Sequence, residues 1–259
     1  MSKVSFRSIS AVALLFTSLA QGQDSSFVDA PVKPVRSKLL VEGTYLQDAS
    51  TLYNDLLQGL TSGGFIDREV RQRSADALDD LNRAGQEISL RTTFISGDSL
   101  FGQAGLQWLV SAAHKDLLGV RFGRDVYTLT FFGNAPFEGE QADLGGSAFE
   151  HQIFQSLGGG LHWAKTGSWV RLDVLKGQLL DAINLKDATL FTAVDGRSLD
   201  GTVRGDLYRS DPERTGFGAF NGWGLALSFS RTAVLKSLSK RSVHRFTARV
   251  DDLGFIRWG

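Results

Sequence analysis

The feature that most constrains this chain is a two-residue alternation that returns in segment after segment from residue 87 onward. Trp223, Leu225, Leu227 and Phe229 fall on one face of an extended segment, and Gly224, Ala226, Ser228 and Ser230 on the other. The same parity sets Val170, Leu172 and Val174 against Arg171 and Asp173, and Val203 and Leu207 against Arg204 and Asp206. It sets Phe246, Ala248 and Val250 against Arg245, Thr247 and Arg249, and Leu157, Leu161 and Trp163 against Gly158, Gly160 and His162. Successive side chains of a strand point to opposite faces, so this period specifies sheet and excludes helix.

Strands are expected near 38–46, 87–97, 103–113, 117–123, 126–133, 150–164, 168–177, 188–195, 202–209, 215–231 and 242–251, with Arg124-Asp125 as a tight hairpin. Alternation alone does not say which face is inside. A soluble sandwich buries the apolar face, whereas a membrane barrel turns it to lipid and lines its lumen with the polar one. Three features favour the barrel. Gly and small residues crowd the polar faces, and the segments are long enough to cross a hydrocarbon core at a tilt. Aromatics also sit near segment ends (Tyr45, Trp108, Phe131 with Phe132, Trp163, Trp169, Tyr208, Phe217, Trp223, Trp258), as interfacial girdles do. The expected fold is all-β: an antiparallel up-and-down transmembrane β-barrel of roughly 10–12 strands, complete or incomplete.

The N-terminus fits an exported protein. Lys3 and Arg7 precede a short apolar run, Ile9–Phe16, and small residues follow at Ser18, Ala20 and Gly22. Residues 1–22 thus read as a cleaved signal peptide, the run being well short of the ~20 residues that span a bilayer. Residues 23–37, with Pro31 and Pro34 and no periodicity, read as a periplasmic lead-in, and 38–259 as the barrel domain. The expected location is the cell outer membrane, with outer-membrane lipid and the barrel assembly machinery as partners. Residues 47–86 interrupt the strands. Ile66, Val70, Ala77, Leu78 and Leu81 recur at helical spacing before Gly85, predicting a helix near 66–84 that serves as a loop over the mouth or a plug in the lumen.

Composition narrows function. Lys+Arg and Asp+Glu are both 28, so no excess of cations is present to neutralise nucleic-acid phosphates. The absence of cysteine excludes disulfides, thiolate metal sites, a Cys nucleophile and a lipidated cysteine. His114, His151, His162 and His244 include no pair at metal-binding spacing. Gly158-Gly159-Gly160 is followed by neither Lys-Ser/Thr nor a helix, so it reads as a bend, or as a tight point of the lumen, rather than a phosphate loop. Asp251-Asp252 with His244 could be drawn as a hydrolytic pair, but Asp capping a strand at a turn is the simpler reading. No catalytic residue, cofactor or metal is expected. Arg171, Asp173, Arg204, Asp206, Arg245 and Arg249 are the candidate lumen-lining residues, either a mutually neutralising ladder or a solute-selecting constriction.

The stretches Phe220-Asn221-Gly222-Trp223-Gly224-Leu225 and Arg249-Val250-Asp251-Asp252-Leu253-Gly254-Phe255-Ile256-Arg257-Trp258 resemble the DUF5723 family of Bacteroidetes outer-membrane barrels. Asp252 to Trp258 fits that family's "DLGFIxW" strand closely. The preceding "N-x-G-x-x-x-D" element fits loosely, because Asn221 and Gly222 are adjacent. The resemblance implies a barrel similar to porin-like and fatty-acid-transporter-like barrels, as a short or truncated member, and it carries no activity to particular residues.

Two functions follow as expectations: a channel or transporter for small or apolar solutes, or a non-catalytic structural or assembly-partner barrel. Leu225→Arg on the lipid face is expected to impair assembly, and Ser228→Arg on the lumen face to be tolerated. The last strand is expected either to close against 38–46 or to leave an open edge.

Overall fold

The computed structural model describes residues 37–236 and 243–259, with side chains described outside 234–245. The expected signal peptide and nearly all of the lead-in lie outside the described residues. The chain forms one antiparallel sheet of nine strands: β1 (Lys38–Ala49), β2 (Leu81–Ile95), β3 (Leu106–Gly123), β4 (Gln141–Asp143), β5 (Ala148–Trp163), β6 (Ser168–Thr192), β7 (Leu199–Arg209), β8 (Gly222–Lys236) and β9 (Val243–Trp258). Three helices, α1 (Asn54–Ser62), α2 (Arg68–Asp76) and α3 (Arg124–Phe132), gather at one end of it.

The order along the sheet is β1-β2-β3-β5-β6-β8-β9. The long β6 carries β5 and then β4 on one edge, and β8 and then β7 on the other. These seven strands alternate in direction, so β1 and β9 run the same way. Their N-terminal ends lie at what we call the turn end, with the four-residue connection 164–167, and their C-terminal ends lie at the helical end. Among the described residues β1 pairs only with β2 and β9 only with β8, so of the two expectations for the last strand the open edge is the one seen, and closure against 38–46 is not made. The sheet is nevertheless curled, because Arg249 on β9 reaches Glu42 on β1 at 3.1 Å and Asp252 on β9 reaches Lys115 on β3 at 2.6 Å.

Several expected boundaries change. Segments 103–113 and 117–123 are one strand, since the polar His114-Lys115-Asp116 keeps the ladder intact between Leu90, Ser89 and Ile88 of β2 and Gln155, Phe154 and Ile153 of β5. Segments 168–177 and 188–195 are likewise one strand, β6, which absorbs its irregularities as bulges at Gln178 and Lys186 rather than as a turn. Residues 215–221 lie outside β8, and β4 was not anticipated.

Segment 126–133 is a helix, and Arg124-Asp125 opens it instead of turning a hairpin. Tyr127 is 2% exposed against Leu56, Leu78 and Phe122, with the tilted Phe131 ring centred 4.5 Å from its own. A helix brings residues four apart to within about 6 Å on one face, where a strand would spread them over about 13 Å, so this small apolar core overrides the β preference of the Val, Tyr, Thr and Phe side chains. The Arg124 guanidinium donates to the Ala75 and Leu78 carbonyls, seating α3 against the end of α2.

The helix expected over 66–84 stops at Asp76. Asn82 is fully buried and closes the turn after it: its Oδ1 accepts from the Asp79 N–H at 3.0 Å, and its Nδ2 donates to the Asp79 carbonyl at 2.8 Å. Strand β2 therefore begins at Leu81, opposite Gly123. The helical insertion packs as a cap on one end of the sheet, its core being Leu56, Leu78, Phe122 and Tyr127.

Candidate functional site

The concave face of the sheet holds the charge. On β6, Arg171 is 3% exposed and Asp173 0%, while their neighbours Leu172 and Val174 are 57% and 59% exposed on the convex face. β8 repeats the pattern: Ala226, Ser228 and Ser230 are buried, and Leu225, Leu227 and Phe229 are exposed. On β2, Arg91 and Thr93 are buried with Leu90 and Phe94 outward.

Arg171 Nε donates to both oxygens of Asp173 at 2.9 and 2.7 Å, and its Nη2 donates to Ser228 Oγ at 3.1 Å. Arg91 donates to both oxygens of Asp252 at 3.2 and 3.3 Å and lies 4.0 Å from Asp173. Lys115 Nζ sits 2.6 Å from Asp252 and 3.4 Å from Glu87. Arg249 joins Asp251 at 2.6 Å and Glu42 at 3.1 Å. Four cations thus face five carboxylates, the charges coming from five strands (β1, β2, β3, β6 and β9) and the Ser228 hydroxyl from a sixth, β8. Burying a charge is tolerable only when it is paired and hydrogen-bonded, and every member of this network is paired.

The backbone is shaped for it. A bulge in β9 places two residues, Asp251 and Asp252, opposite the single Ser228 of β8. Asp252 takes a φ of 55°, and its N–H donates to Ser228 Oγ at 3.0 Å. Asp is among the few side chains that tolerate this left-handed region. Strict alternation would send adjacent side chains to opposite faces, whereas the bulge brings both carboxylates to the concave one. The expectation that Asp251-Asp252 caps a strand at a turn is therefore replaced by a bulge within β9. On β5, Gly158 lies under the Asp173 carboxylate, where an added Cβ would fall 2.7 Å from Asp173 Cγ. Of the two readings of the triglycine, bend or tight point, the second matches this packing.

Beside the network a cavity of about 410 Å³ opens between β1, β2 and β9. Its polar side carries Glu42, Glu87, Lys115 and Arg249, and its floor is Leu117, Phe154, Leu175 and Ile256. Trp169 is turned inward under Arg171 and Arg249, with the guanidinium carbons 5.2 and 5.5 Å from its ring centre.

Of the sequence-predicted residues, Arg171, Asp173 and Arg249 come together in the network. Arg204 is exposed on β7, and Asp206 pairs with Lys186 at 2.7 Å on the same extension, apart from the network. Both faces of β7 are open, its residues being exposed throughout apart from a half-buried Asp206. The Arg245 side chain lies outside the described residues. Sequence reading passed over Arg91, Lys115, Glu87, Glu42 and Asp252. Arg91 was within reach, since it alternates with Leu90 and Thr92 in a strand already assigned. Asp252 was not, because the bulge reverses its parity. Ser228 is fully buried in the network, so its expected tolerance to Arg does not fit these contacts.

Not all of the convex face is apolar. Near the helical end His151 Nε2 lies 2.8 Å from Asp116, and Gln155 contacts His114 at 3.2 Å. The apolar band is therefore densest toward the turn end, where Phe94, Trp108 and Trp163 point outward and the tilted rings of Phe94 and Trp108 meet at 5.3 Å. Trp223 and Tyr45 are outward too, whereas Phe131 and Phe132 belong to the helical cap.

Among the described residues no group of three or more His, Asp or Glu side chains is placed to hold a metal, and no helix is long and apolar enough to cross a membrane. Compared with family models, with curated proteins and with solved structures, the chain matches none.

Proposed function

We propose that this sheet is the wall of an outer-membrane β-barrel, and that the protein is a non-catalytic channel or transporter for small or apolar solutes. The observation that carries this reading is the inverted polarity of one strand, with Arg171 and Asp173 buried between exposed Leu172 and Val174. Water would reward the opposite arrangement, because exposed apolar area costs free energy and buried charge must be compensated. Lipid outside and a polar lumen inside reconcile both. Outward Trp108, Trp163 and Phe94 near one end of the apolar band fit an interfacial girdle. The cavity, charged on one side and apolar on its floor, supports passage of a solute with apolar character.

The likeness to DUF5723 belongs with this proposal. Two residues of its C-terminal strand have structural work in this sheet: Asp252 anchors the network, and Gly254 lies where a Cβ would fall 2.6 Å from Ala226 Cα.

A second reading, a structural or assembly-partner barrel, is favoured by one feature. The network fills the concave face with mutually neutralised charge, which would obstruct a conduit. Fractionation tests the shared claim: the protein is expected with outer membranes, resistant to carbonate extraction and heat-modifiable on gels, and recovery in the soluble fraction would refute it. Single-channel conductance after reconstitution separates the two, since steps are expected of a channel and none of a structural barrel.

A further inference from the structure

The two edges of the sheet left unpaired among the described residues have a directional property that decides what can close it. β1 and β9 both run from the turn end to the helical end. Joined directly, they would form a parallel pair in a sheet whose every other strand pairing is antiparallel. A second copy in the same orientation does no better, because its β1 would meet β9 in the same parallel sense. One strand running from the helical end to the turn end is antiparallel to both edges at once.

We propose that the seam between β1 and β9 is a docking site for one extended strand of a partner polypeptide, inserted antiparallel to both. The side chains at the seam define its chemistry. Outward positions on β1 are Leu39, Val41 and Tyr45, at 67%, 64% and 60% exposure, and on β9 they include Phe246, Leu253 and Phe255. The incoming strand therefore presents apolar side chains outward, continuing this band. On the concave side Glu42 and Arg249 already span the seam, and the cavity lies against them. The inward side chains of the incoming strand are accordingly small or uncharged, because a charged one would compete for a neutralised pair. Residues 23–36 of this chain are a poor occupant: Pro31 and Pro34 lack the N–H that an inner strand must donate, and the segment does not alternate.

The proposal rests on the barrel reading for its setting, but the edge directions stand without it, and the test reads the seam by crosslinking whether or not the protein enters a membrane. The probe is a synthetic peptide copying Gly222–Lys236, the strand that already pairs antiparallel with β9 and carries small residues on one face and Trp, Leu and Phe on the other. It bears a single cysteine in place of Leu225, Leu227 or Phe229 in turn, and is offered to the full chain carrying Val41→Cys or Val250→Cys. Disulfides form only when Cα atoms come within about 7 Å. The expected result is that one peptide register crosslinks to both chain variants, and that a peptide of reversed sequence does not. Efficient intramolecular crosslinking of a Val41→Cys, Val250→Cys double variant, which signals direct parallel closure, would overturn the proposal. So would a Val41–Val250 crosslink between two copies, or failure of every peptide register.

Discussion

Asp173 is the most deeply buried carboxylate in the network, at 0% exposure, and removing it tests whether the concave face is held by paired charge. In Asp173→Ala, Arg171 loses the carboxylate that accepts from its Nε at 2.9 and 2.7 Å, while remaining 3% exposed. What is left to it nearby is Ser228 at 3.1 Å and the Asp251 and Asp252 carboxylates, both 4.0 Å away. Removing one partner of a buried ion pair costs about 3–5 kcal/mol, because the surviving charge is stranded. With an m-value of about 2 kcal/mol/M in urea, that is a fall of roughly 2 M in the unfolding midpoint. The double variant Arg171→Met, Asp173→Ala removes the stranded charge and is expected to recover most of the loss, since replacing a whole buried pair by apolar groups is often close to neutral. Urea titration of the folded protein in lipid vesicles, followed by gel mobility, reads both midpoints, with exposed Arg204→Ala as the control. A midpoint for Asp173→Ala within about 0.3 M of that control, or a double variant no better than the single, would refute the argument.

Leu172→Arg, on the outward apolar band, is expected to lower stability in lipid by about 2–4 kcal/mol, while Thr44→Arg, beside the cavity, is tolerated; equal loss of folded protein would contradict the assigned faces. Gly158→Ala forces a methyl group against Asp173 and is expected to cost about 1–3 kcal/mol by overpacking, seen as a lower melting temperature of the heat-modifiable form. Burial raises the Tyr127 phenol above its ordinary 10.0, so the folded helical cap favours the protonated form. That stability is fully present below pH 10 and is lost as pH rises through the elevated value. Protease sensitivity of residues 50–80 should therefore increase above pH 10 in the wild type, and a Tyr127→Phe variant should show a flatter profile.

The elements that sequence determined are those set by local geometry. Parity alone assigned Arg171 and Asp173 to one face and Leu172 and Val174 to the other, because an extended backbone alternates its side chains whatever surrounds it. The same reasoning places Ser228 opposite Leu225 and Leu227, and Arg91 opposite Leu90. The errors fall where tertiary packing overrides that rule. Residues 126–133 read as a strand entered through an Arg124-Asp125 hairpin, yet Arg124–Phe132 forms a helix because Tyr127 and Phe131 must both reach Leu56 and Leu78, residues brought to that end of the sheet by the preceding chain. The helix over 66–84 is cut short at Asp76 by Asn82, whose buried amide closes a turn and lets β2 begin at Leu81. Asp251 and Asp252 share a face only because a bulge opposite Ser228 shifts the register, and no local pattern announces a bulge. The partners of the network are farther still from what a linear reading reaches: Arg91 meets Asp252 across 161 positions, and Glu42 meets Arg249 across 207. Local alternation chose which side chains face inward, and the curl of the sheet chose which of them meet.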